Sequence, residues 1–421
     1  MKIQILGGGN NQVNGIRRAK QKGHQVVLVD YYKNPPGKAF ASVHEAASTF
    51  DVVKNLEIAQ KHQIDGVMTM GTDQPVYTVS RIAQALNLPA FLDPETAMAV
   101  TNKAVMKEKL AAARIRTVPY VYLDKKITSQ ALDKELSEFS YPVVLKPLDS
   151  QGQRGVYKLN SSQEVFASLP QTLSYSRKDK ALLESYYDSD EITVSAWAQE
   201  GMVNILTVTD RLTFESGKNI GICYAHQSPS KHHGRLAEIT TLIEKIAQVF
   251  GIRSGPIYVQ LLVGEKGILV NEIACRIGGA YEEIFIPYLT GFDIVDQVID
   301  YSLGLSKPFI KMKLDCSPKY LSVQLFFARP GTIKAISPIE ALLKLPGLIS
   351  AGLNVKVGQK LSDIDNATAR AGYFIVAQDS KKALDQAVER AYDLLSIENE
   401  DGKNLVIKPD QYETFNTAKN T

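Results

Sequence analysis

Short apolar runs alternate with amphipathic stretches along the first hundred residues. The runs are rich in β-branched side chains, which predicts strands, and the stretches between them repeat apolar positions at helical spacing. The predicted strands are 2–6, 25–30 and 66–70, and the predicted helices are 10–23, 52–62 and 75–87. Strands that alternate with helices of this length form βαβ units, so the pattern predicts a doubly wound parallel sheet at the N-terminus.

Strands and helices mix without strict alternation after residue 100, which predicts α+β structure. We expect a basic helix over 102–114 with Thr101 as its N-cap, two paired strands over 257–279 joined by the turn GEKG, and a helix over 381–395. The polar residues from about 400 onwards are expected to be loose. The predicted domains are an N-terminal Rossmann-like domain at 1–100, a central α+β domain of two subdomains at 101–305 with a lid at about 117–187, and a C-terminal α+β domain at 306–421.

The composition is that of an ordinary globular protein, with 421 residues, 44% of them apolar and 22% charged. There are 48 Lys and Arg residues against 45 Asp and Glu residues and no basic block, which argues against nucleic acid as a partner. No run approaches the roughly 18 apolar residues of a membrane span, and the start lacks the apolar core of a signal peptide. Cys223, Cys275 and Cys316 lie far apart, which argues against disulfides or a zinc site. We therefore expect a cytoplasmic enzyme or binding protein.

A glycine cluster, Gly7 to Gly9, lies between the first strand and the first helix, and Asp30 ends the next strand. This arrangement suggests a dinucleotide site, but the next glycine is Gly15, so the spacing departs from GxGxxG. We interpret the cluster as a tight turn that brings the helix onto the sheet. The same loop is a candidate for holding a carboxylate or another small anion at the helix N-terminus.

The stretch VVLKPLDSQGQRGVYKL (143–159) combines an apolar strand with a glycine-rich turn. Lys146 ends the strand, and the glycines that follow allow the backbone to approach a ligand without a Cβ clash. Successive amides in such a turn form an anion-binding nest, and Lys146 and Arg154 add positive charge. The predicted phosphate loop comprises Ser150, Gln151, Gly152, Gln153, Arg154 and Gly155. The alternative is a hairpin turn with incidental charges.

Other segments supply the remaining parts of a nucleotide site. Lys103 heads the helix upstream of the loop and can reach phosphates from the other side. In the paired strands, the polar side chains of Gln260 and Glu272 can converge on one cation, and magnesium takes such a sparse set of oxygen ligands. Arg276 follows four residues later, where it can meet a developing negative charge. The expected adenine hinge comprises Glu184, Ser185 and Tyr186, with Glu191 as the carboxylate for the ribose hydroxyls.

In their order and spacing, these residues resemble the ATP-grasp superfamily, and in particular its biotin carboxylase and carbamoyl phosphate synthase branch. The resemblance covers about residues 1–305 and implies that Lys103 and Lys146 bind phosphate, that 146–156 is a mobile phosphate loop, and that Gln260 and Glu272 bind metal. The C-terminal stretches 331–336, 345–361 and 369–387 resemble the last domain of L-amino acid ligases.

One position departs from the family pattern. The family usually has asparagine two residues after the metal-binding glutamate, whereas this chain has Ala274. Asn271, which precedes the glutamate, is a candidate replacement. Binding of the family's second magnesium ion therefore depends on whether Asn271 replaces the missing asparagine.

The resemblance implies ATP and one or two Mg²⁺ ions as cofactors, with Mn²⁺ as a substitute. A small-molecule carboxylate would attack the γ-phosphate to give an acyl phosphate and ADP, and an amine would then displace phosphate to give an amide. Lys146 and Arg276 are the expected catalytic residues, and His226, Gly278 and Gly279 are expected near the substrate. The resemblance also implies a homodimer. Two alternatives stay open: an ATP-grasp enzyme that uses bicarbonate or formate, and a non-catalytic ATP-binding protein.

Overall fold

The computed structural model describes residues 1–305 and 319–412. The chain begins with a four-stranded parallel sheet of order β3-β2-β1-β4, so the predicted N-terminal architecture is confirmed. Its strands are β1 Lys2–Leu6, β2 Gln25–Asp30, β3 Val43–Ala46 and β4 Gly66–Met68, and its helices are α1 Asn10–Gln21, α2 Val52–His62 and α3 Gln74–Leu86. The bounds of the predicted elements lie within a few residues of those expected, whereas β3 was not predicted.

Two consecutive helices, α4 (Pro94–Thr101) and α5 (Lys103–Ala112), lead into the central part. The predicted N-cap of α5 is wrong: the side chain of Asn102 accepts from the amides of Ala104 and Val105, while Thr101 is the last residue of α4. Asparagine is the better cap at this break because its short carbonyl group reaches the first free amides of the helix.

A large antiparallel sheet forms the central part, with the order β13-β12-β9-β10-β11-β7-β6-β8-β5. Helices pack against this sheet, which confirms the predicted mixed α+β structure. The elements are β5 Tyr120–Asp124, α6 Ser129–Leu136, β6 Val143–Pro147, β7 Tyr157–Leu159, α7 Ser162–Ser174, β8 Lys180–Ser185, β9 Asp190–Gln199, β10 Met202–Ser216, β11 Asn219–Ser228, α8 Leu236–Phe250, β12 Gly255–Gly264, β13 Gly267–Ala274, α9 Glu282–Thr290 and α10 Ile294–Ser302.

The C-terminal strands extend this sheet. Strand β14 pairs with β11 on one side and with β19 on the other, and β17 pairs with β19. The elements are β14 Tyr320–Phe326, β15 Gly331–Thr332, β16 Ala335–Ile336, β17 Leu348–Leu353, β18 Lys360–Leu361, β19 Gly372–Gln378, α11 Lys381–Leu394 and β20 Ile397–Glu398. Across the described ranges 1–305 and 319–412, no helix has the length and apolarity needed to cross a membrane.

The tail that was expected to be loose is ordered up to residue 412, where the described residues end. Leu405, Ile407 and Tyr412 are buried, and the ring of Tyr412 stacks 4.4 Å from Phe214 of β10. The apolar positions within the polar stretch supply the burial that sequence reasoning missed. Cys316 and the last part of the predicted tail, residues 413–421, lie outside the described residues.

We expect Tyr412→Ala to destabilise the protein by about 3–5 kcal/mol, because it removes a large buried ring that joins the chain end to β10 and β11. Tyr412→Phe removes only the hydroxyl that accepts from the amide of Phe327 and should cost about 1 kcal/mol. Denaturant unfolding measures both changes. A matched surface control is Tyr31→Ala, since Tyr31 is exposed; an equal loss in that variant would contradict the assignment.

Candidate functional site

A cavity of about 1070 Å³ opens where the N-terminal, central and C-terminal parts of the chain meet. Its walls include the loop before α1, the strands β12 and β13, and the segment 359–370. The predicted site residues that line it are Lys103, Lys146, Ser150, Gln151, Gly152, Gln153, Glu184, Ser185, Tyr186, Glu191, His226, Gln260, Glu272, Arg276 and Gly279. Residues from nine separate segments therefore converge as the sequence predicted, although ligand binding by each stays a prediction.

Three of the predicted residues do not line this cavity. The Arg154 side chain is exposed and donates to the carbonyl of Gln151 at 3.1 Å. Gly155 has a φ of +71° and packs against Tyr175, and a Cβ on Gly278 would lie 2.1 Å from the carboxyl carbon of Glu282. Arg154 thus supports the loop from outside, and the two glycines permit close packing next to the cavity.

The predicted phosphate loop is held from three directions. The hydroxyl of Thr72, in the N-terminal part, donates to the Gln151 side chain at 2.8 Å. The ammonium of Lys103 donates to the carbonyl of Ser150 at 3.0 Å. From the C-terminal part, the amide of Ala367 donates to the carbonyl of Gly152, also at 3.0 Å. Gly152 has a φ of +66°, which explains why glycine is needed where the backbone turns.

A buried carboxylate connects two lysines below this loop. Glu184 contacts the ammonium of Lys146 at 2.5 Å with one oxygen and that of Lys107 at 2.6 Å with the other. Burial alone would raise the pKa of Glu184, but the two lysines lower it to about 2. The sequence assigned Glu184 to the adenine hinge, yet its side chain points at the lysines. Lys107 was missed because nothing in the sequence distinguishes it from other charged positions of a basic helix.

The predicted metal-binding residues face each other across two strands. Gln260 of β12 pairs with Glu272 of β13, and the register then shifts so that Asn271 has no partner on β12. Such a β-bulge turns two consecutive side chains to the same face, and both Asn271 and Glu272 line the cavity. Ala274 is buried and does not line it. Asn271, and not the residue at position 274, therefore lines the cavity, as a replacement for the family's asparagine would have to do.

These donors fit a hard divalent cation. One carboxylate and two amide side chains offer oxygen atoms, which Mg²⁺ prefers. Burial would raise the pKa of Glu272, but the charges of Lys103, 3.7 Å away, and of Lys146 keep it below its usual value. Within residues 1–305 and 319–412, no group of three His, Cys, Asp or Glu side chains could hold a metal alone. A cation here would therefore depend on amide and phosphate oxygens in addition to Glu272.

Arg276 is held at the cavity wall by a partner from the N-terminal part. Its guanidinium donates to the buried carboxylate of Asp73 and lies 4.6 Å above the ring of Tyr258. Burial alone would lower the pKa of Arg276, but the charge of Asp73 outweighs it and raises the pKa. Asp73 directly precedes α3, and its pairing with Arg276 over 203 residues has no local signal.

Glu191 has a similar hidden partner. The fully buried Arg211 of β10 donates to the Glu191 carboxylate and, at 3.0 Å, to the carbonyl of Gly221. This pair fixes the carboxylate at the cavity wall, where it was predicted to bind ribose. Arg211 was missed because its strand carries several polar side chains and none of them stands out in the sequence.

His226 lies at the seam between β11 and β14, where its ring contacts the hydroxyl of Thr209 at 3.1 Å. Burial and the charges of Arg211 and Arg370 lower its pKa well below the usual value, so the ring is neutral. His232, further along the chain, pairs with Asp190 at 2.8 Å. It does not line the cavity.

The first and last parts of the chain also reach the cavity. The carboxylate of Asp30 accepts from the amide of Gly8 at 2.7 Å, so it braces the glycine turn rather than facing the cavity. Asn10 donates to Asn354 at 2.7 Å, and Arg370 donates to the carbonyl of Gly279 at 2.9 Å. Asn354 and Arg370 were not predicted, because the C-terminal resemblance was limited to apolar and glycine positions.

The sequence matches the models of two protein families. The ATP-grasp domain matches residues 139–283, and the L-amino acid ligase C-terminal domain 2 matches residues 323–400. Phosphoribosylamine–glycine ligase of Pyrococcus furiosus is 30% identical over 328 residues, covering 72% of this chain and 73% of that enzyme. The L-arginine-specific L-amino acid ligase of Bacillus subtilis is 24% identical over 274 residues, covering 64% of this chain and 65% of that enzyme.

A solved structure extends the likeness to nearly the whole fold. The L-amino acid ligase from Bacillus licheniformis superposes with a TM-score of 0.78 at 18% identity, over 95% of this chain and 98% of that chain. The fold, the matched domain and the identity to the P. furiosus enzyme agree with the resemblance seen in the sequence. The chain belongs to the ATP-grasp superfamily of ligases.

Proposed function

We propose that the protein joins a carboxylate to an amine with ATP, through an acyl phosphate, and releases ADP and phosphate. The observation that carries this proposal is the convergence of Lys103, Lys146, Glu272 and Arg276 on one cavity. Phosphoryl transfer requires mainly positioning and charge neutralisation, and these four side chains supply both.

Each side chain has a place in this scheme. Lys103 and Lys146, with the amides around Gly152, would bind the phosphates of ATP. Gln260, Glu272 and Asn271 would hold one or two Mg²⁺ ions, for which Mn²⁺ can substitute; the ions would neutralise the transferred phosphoryl group. Arg276 would stabilise the acyl phosphate or the negative charge that develops on the acyl oxygen when the amine attacks.

We infer that amino acids are the substrates. The match of residues 323–400 to a domain of L-amino acid ligases supports this inference, and so does the similarity to an L-amino acid ligase of B. subtilis. The P. furiosus relative is named for joining glycine to an amine, which is the same bond type. The polar wall of Asn10, Asn354 and Arg370 can receive the charged groups of an amino acid.

Three further points belong to the proposal. The domains would comprise residues 1–100, 101–305 with a lid at about 117–187, and 306–421, since the first sheet is separate from the large one. The lid would close over ATP and exclude water. The protein would act as a homodimer in the cytoplasm on small molecules, without nucleic acid or membrane.

Product analysis tests the proposal directly. With ATP and Mg²⁺, we expect ADP and phosphate to appear only when pooled amino acids are added, and mass spectrometry should find a dipeptide. Bicarbonate and formate, in separate reactions, test the alternative substrates. AMP and pyrophosphate would contradict the acyl phosphate, and ATP binding without turnover in every pool would favour a non-catalytic role.

Arg276→Ala should lower kcat by about 10²–10³ with little change in the KM for ATP, since Arg276 would stabilise the oxyanion of the tetrahedral intermediate rather than bind ATP. Because this change leaves Asp73 buried without its partner, Arg276→Lys is the companion variant: it keeps a charge near Asp73 but loses the planar fork. Arg253→Ala, at an exposed arginine, is the control. Full turnover in Arg276→Ala would refute the assignment.

Asn271→Ala should shift the Mg²⁺ concentration that half-activates the enzyme upwards by about tenfold or more, because it removes an oxygen donor beside Glu272. Ala274→Asn should not restore the midpoint in that background, since Ala274 is buried and does not line the cavity. Steady-state rates over a magnesium titration measure both. An unchanged midpoint in Asn271→Ala would show that Asn271 does not hold the cation.

A further inference from the structure

Lys107 is a buried lysine that the proposed reaction does not use. Its side chain is 1% exposed, and it does not line the cavity. It lies one helical turn after Lys103 on α5, so the two side chains share a face of the helix. Its ammonium contacts Glu184 and the hydroxyl of Thr117, which in turn donates to the carbonyl of Val270 at 2.8 Å. The position of the ammonium is thus fixed by three elements.

Glu184 joins a lysine at the cavity wall to a lysine outside it. Lys146 and Glu184 both line the cavity, whereas Lys107, on the other oxygen of Glu184, does not. Each oxygen of Glu184 contacts a different one of the two ammonium groups. Burial and the charge of Lys146 lower the pKa of Lys107, against the effect of Glu184.

A second lysine is not needed merely to neutralise one glutamate. Lys146 already pairs with Glu184 at 2.5 Å, and burying another ammonium carries a desolvation penalty. The second positive charge, on Lys107, is needed if Lys146 leaves its pair with Glu184. When Lys146 turns to a phosphate, Glu184 would otherwise stay buried and uncompensated, which is strongly unfavourable.

We propose that Lys107 is a positioning residue that compensates Glu184 and so frees Lys146 to bind the phosphates of ATP. This inference rests on the proposed function, in which Lys146 contacts phosphate. Without Lys107, Glu184 holds Lys146 as its single counter-ion, and the lysine is withdrawn from the ligand. We expect the effect to fall on phosphate, because Lys107 contacts only the side chain of Glu184 in the hinge, whereas the hinge would hold adenine through its backbone groups.

The test compares ligands with and without phosphates. Binding of ATP and of adenosine is measured by isothermal titration calorimetry for the wild type, Lys107→Met and Lys107→Arg. We expect Lys107→Met to weaken ATP binding about 10- to 100-fold and to leave adenosine binding unchanged. Lys107→Arg keeps the charge and should recover most of the ATP affinity. Lys109→Met is the matched control, since Lys109 lies on the same helix near the surface and contacts Glu95 at 3.8 Å.

Two outcomes of Lys107→Met would overturn the inference. One is unchanged affinity for ATP. The other is an equal loss for ATP and adenosine, which would show that Lys107 only maintains the fold. Lys146→Met separates this inference from the proposed function. If Lys146→Met also binds ATP normally, the proposed phosphate site itself is wrong. If Lys146→Met loses ATP affinity while Lys107→Met keeps it, only the role of Lys107 is rejected.

A neutral background keeps the test valid if Lys107→Met does not fold. In Glu184→Gln the carboxylate that needs compensation is gone, so adding Lys107→Met should change ATP affinity little. A further loss of tenfold or more in the double variant, relative to Glu184→Gln, would contradict the proposal. Melting temperatures of all variants confirm that each protein is folded at the temperature of the titration.

Discussion

The cavity depends on compensation of buried charge across distant parts of the chain. Four cations at its wall each pair with a carboxylate: Lys146 with Glu184, Lys103 with Glu272, Arg211 with Glu191 and Arg276 with Asp73. An isolated buried charge would be too costly, so the cations can be held ready for a polyanion only because these partners neutralise them in its absence. The partners come from different elements, and the site therefore forms only when the whole fold is assembled.

The same requirement explains why three parts of the chain enclose one cavity. The N-terminal part supplies Asp73 for Arg276 and Thr72 for the phosphate loop, and the C-terminal part contacts that loop through the amide of Ala367. The pairing of β11 with β14 makes the C-terminal strands a continuation of the central sheet, which fixes the segment carrying Arg370. The outer parts therefore complete the site rather than merely cover it.

The sequence predicted what local pattern determines. The strand and helix bounds follow from periodicity, and the glycine turn at Gly152 follows from the backbone freedom that it needs. Asp73 and Lys107 were missed because their partners, Arg276 and Glu184, lie far away in the sequence. Arg211 was missed because it is one of several polar side chains on its strand. The bulge at Asn271 was also invisible, since it depends on the register between β12 and β13. Local chemistry thus identified residues that line the cavity, and only the fold showed what holds them.

The cavity combines two kinds of cation with different physical roles. Arg276 has a planar guanidinium that is always charged, and Asp73, the ring of Tyr258 and the carbonyl of Ile277 hold it in one orientation. Such a group suits a charge that appears briefly at a fixed point. Lys146 carries a compact ammonium on a flexible stem, between Glu184 and Asn271, the latter at 3.4 Å. It can therefore exchange partners when a ligand arrives, which a guanidinium clamped on three sides cannot do.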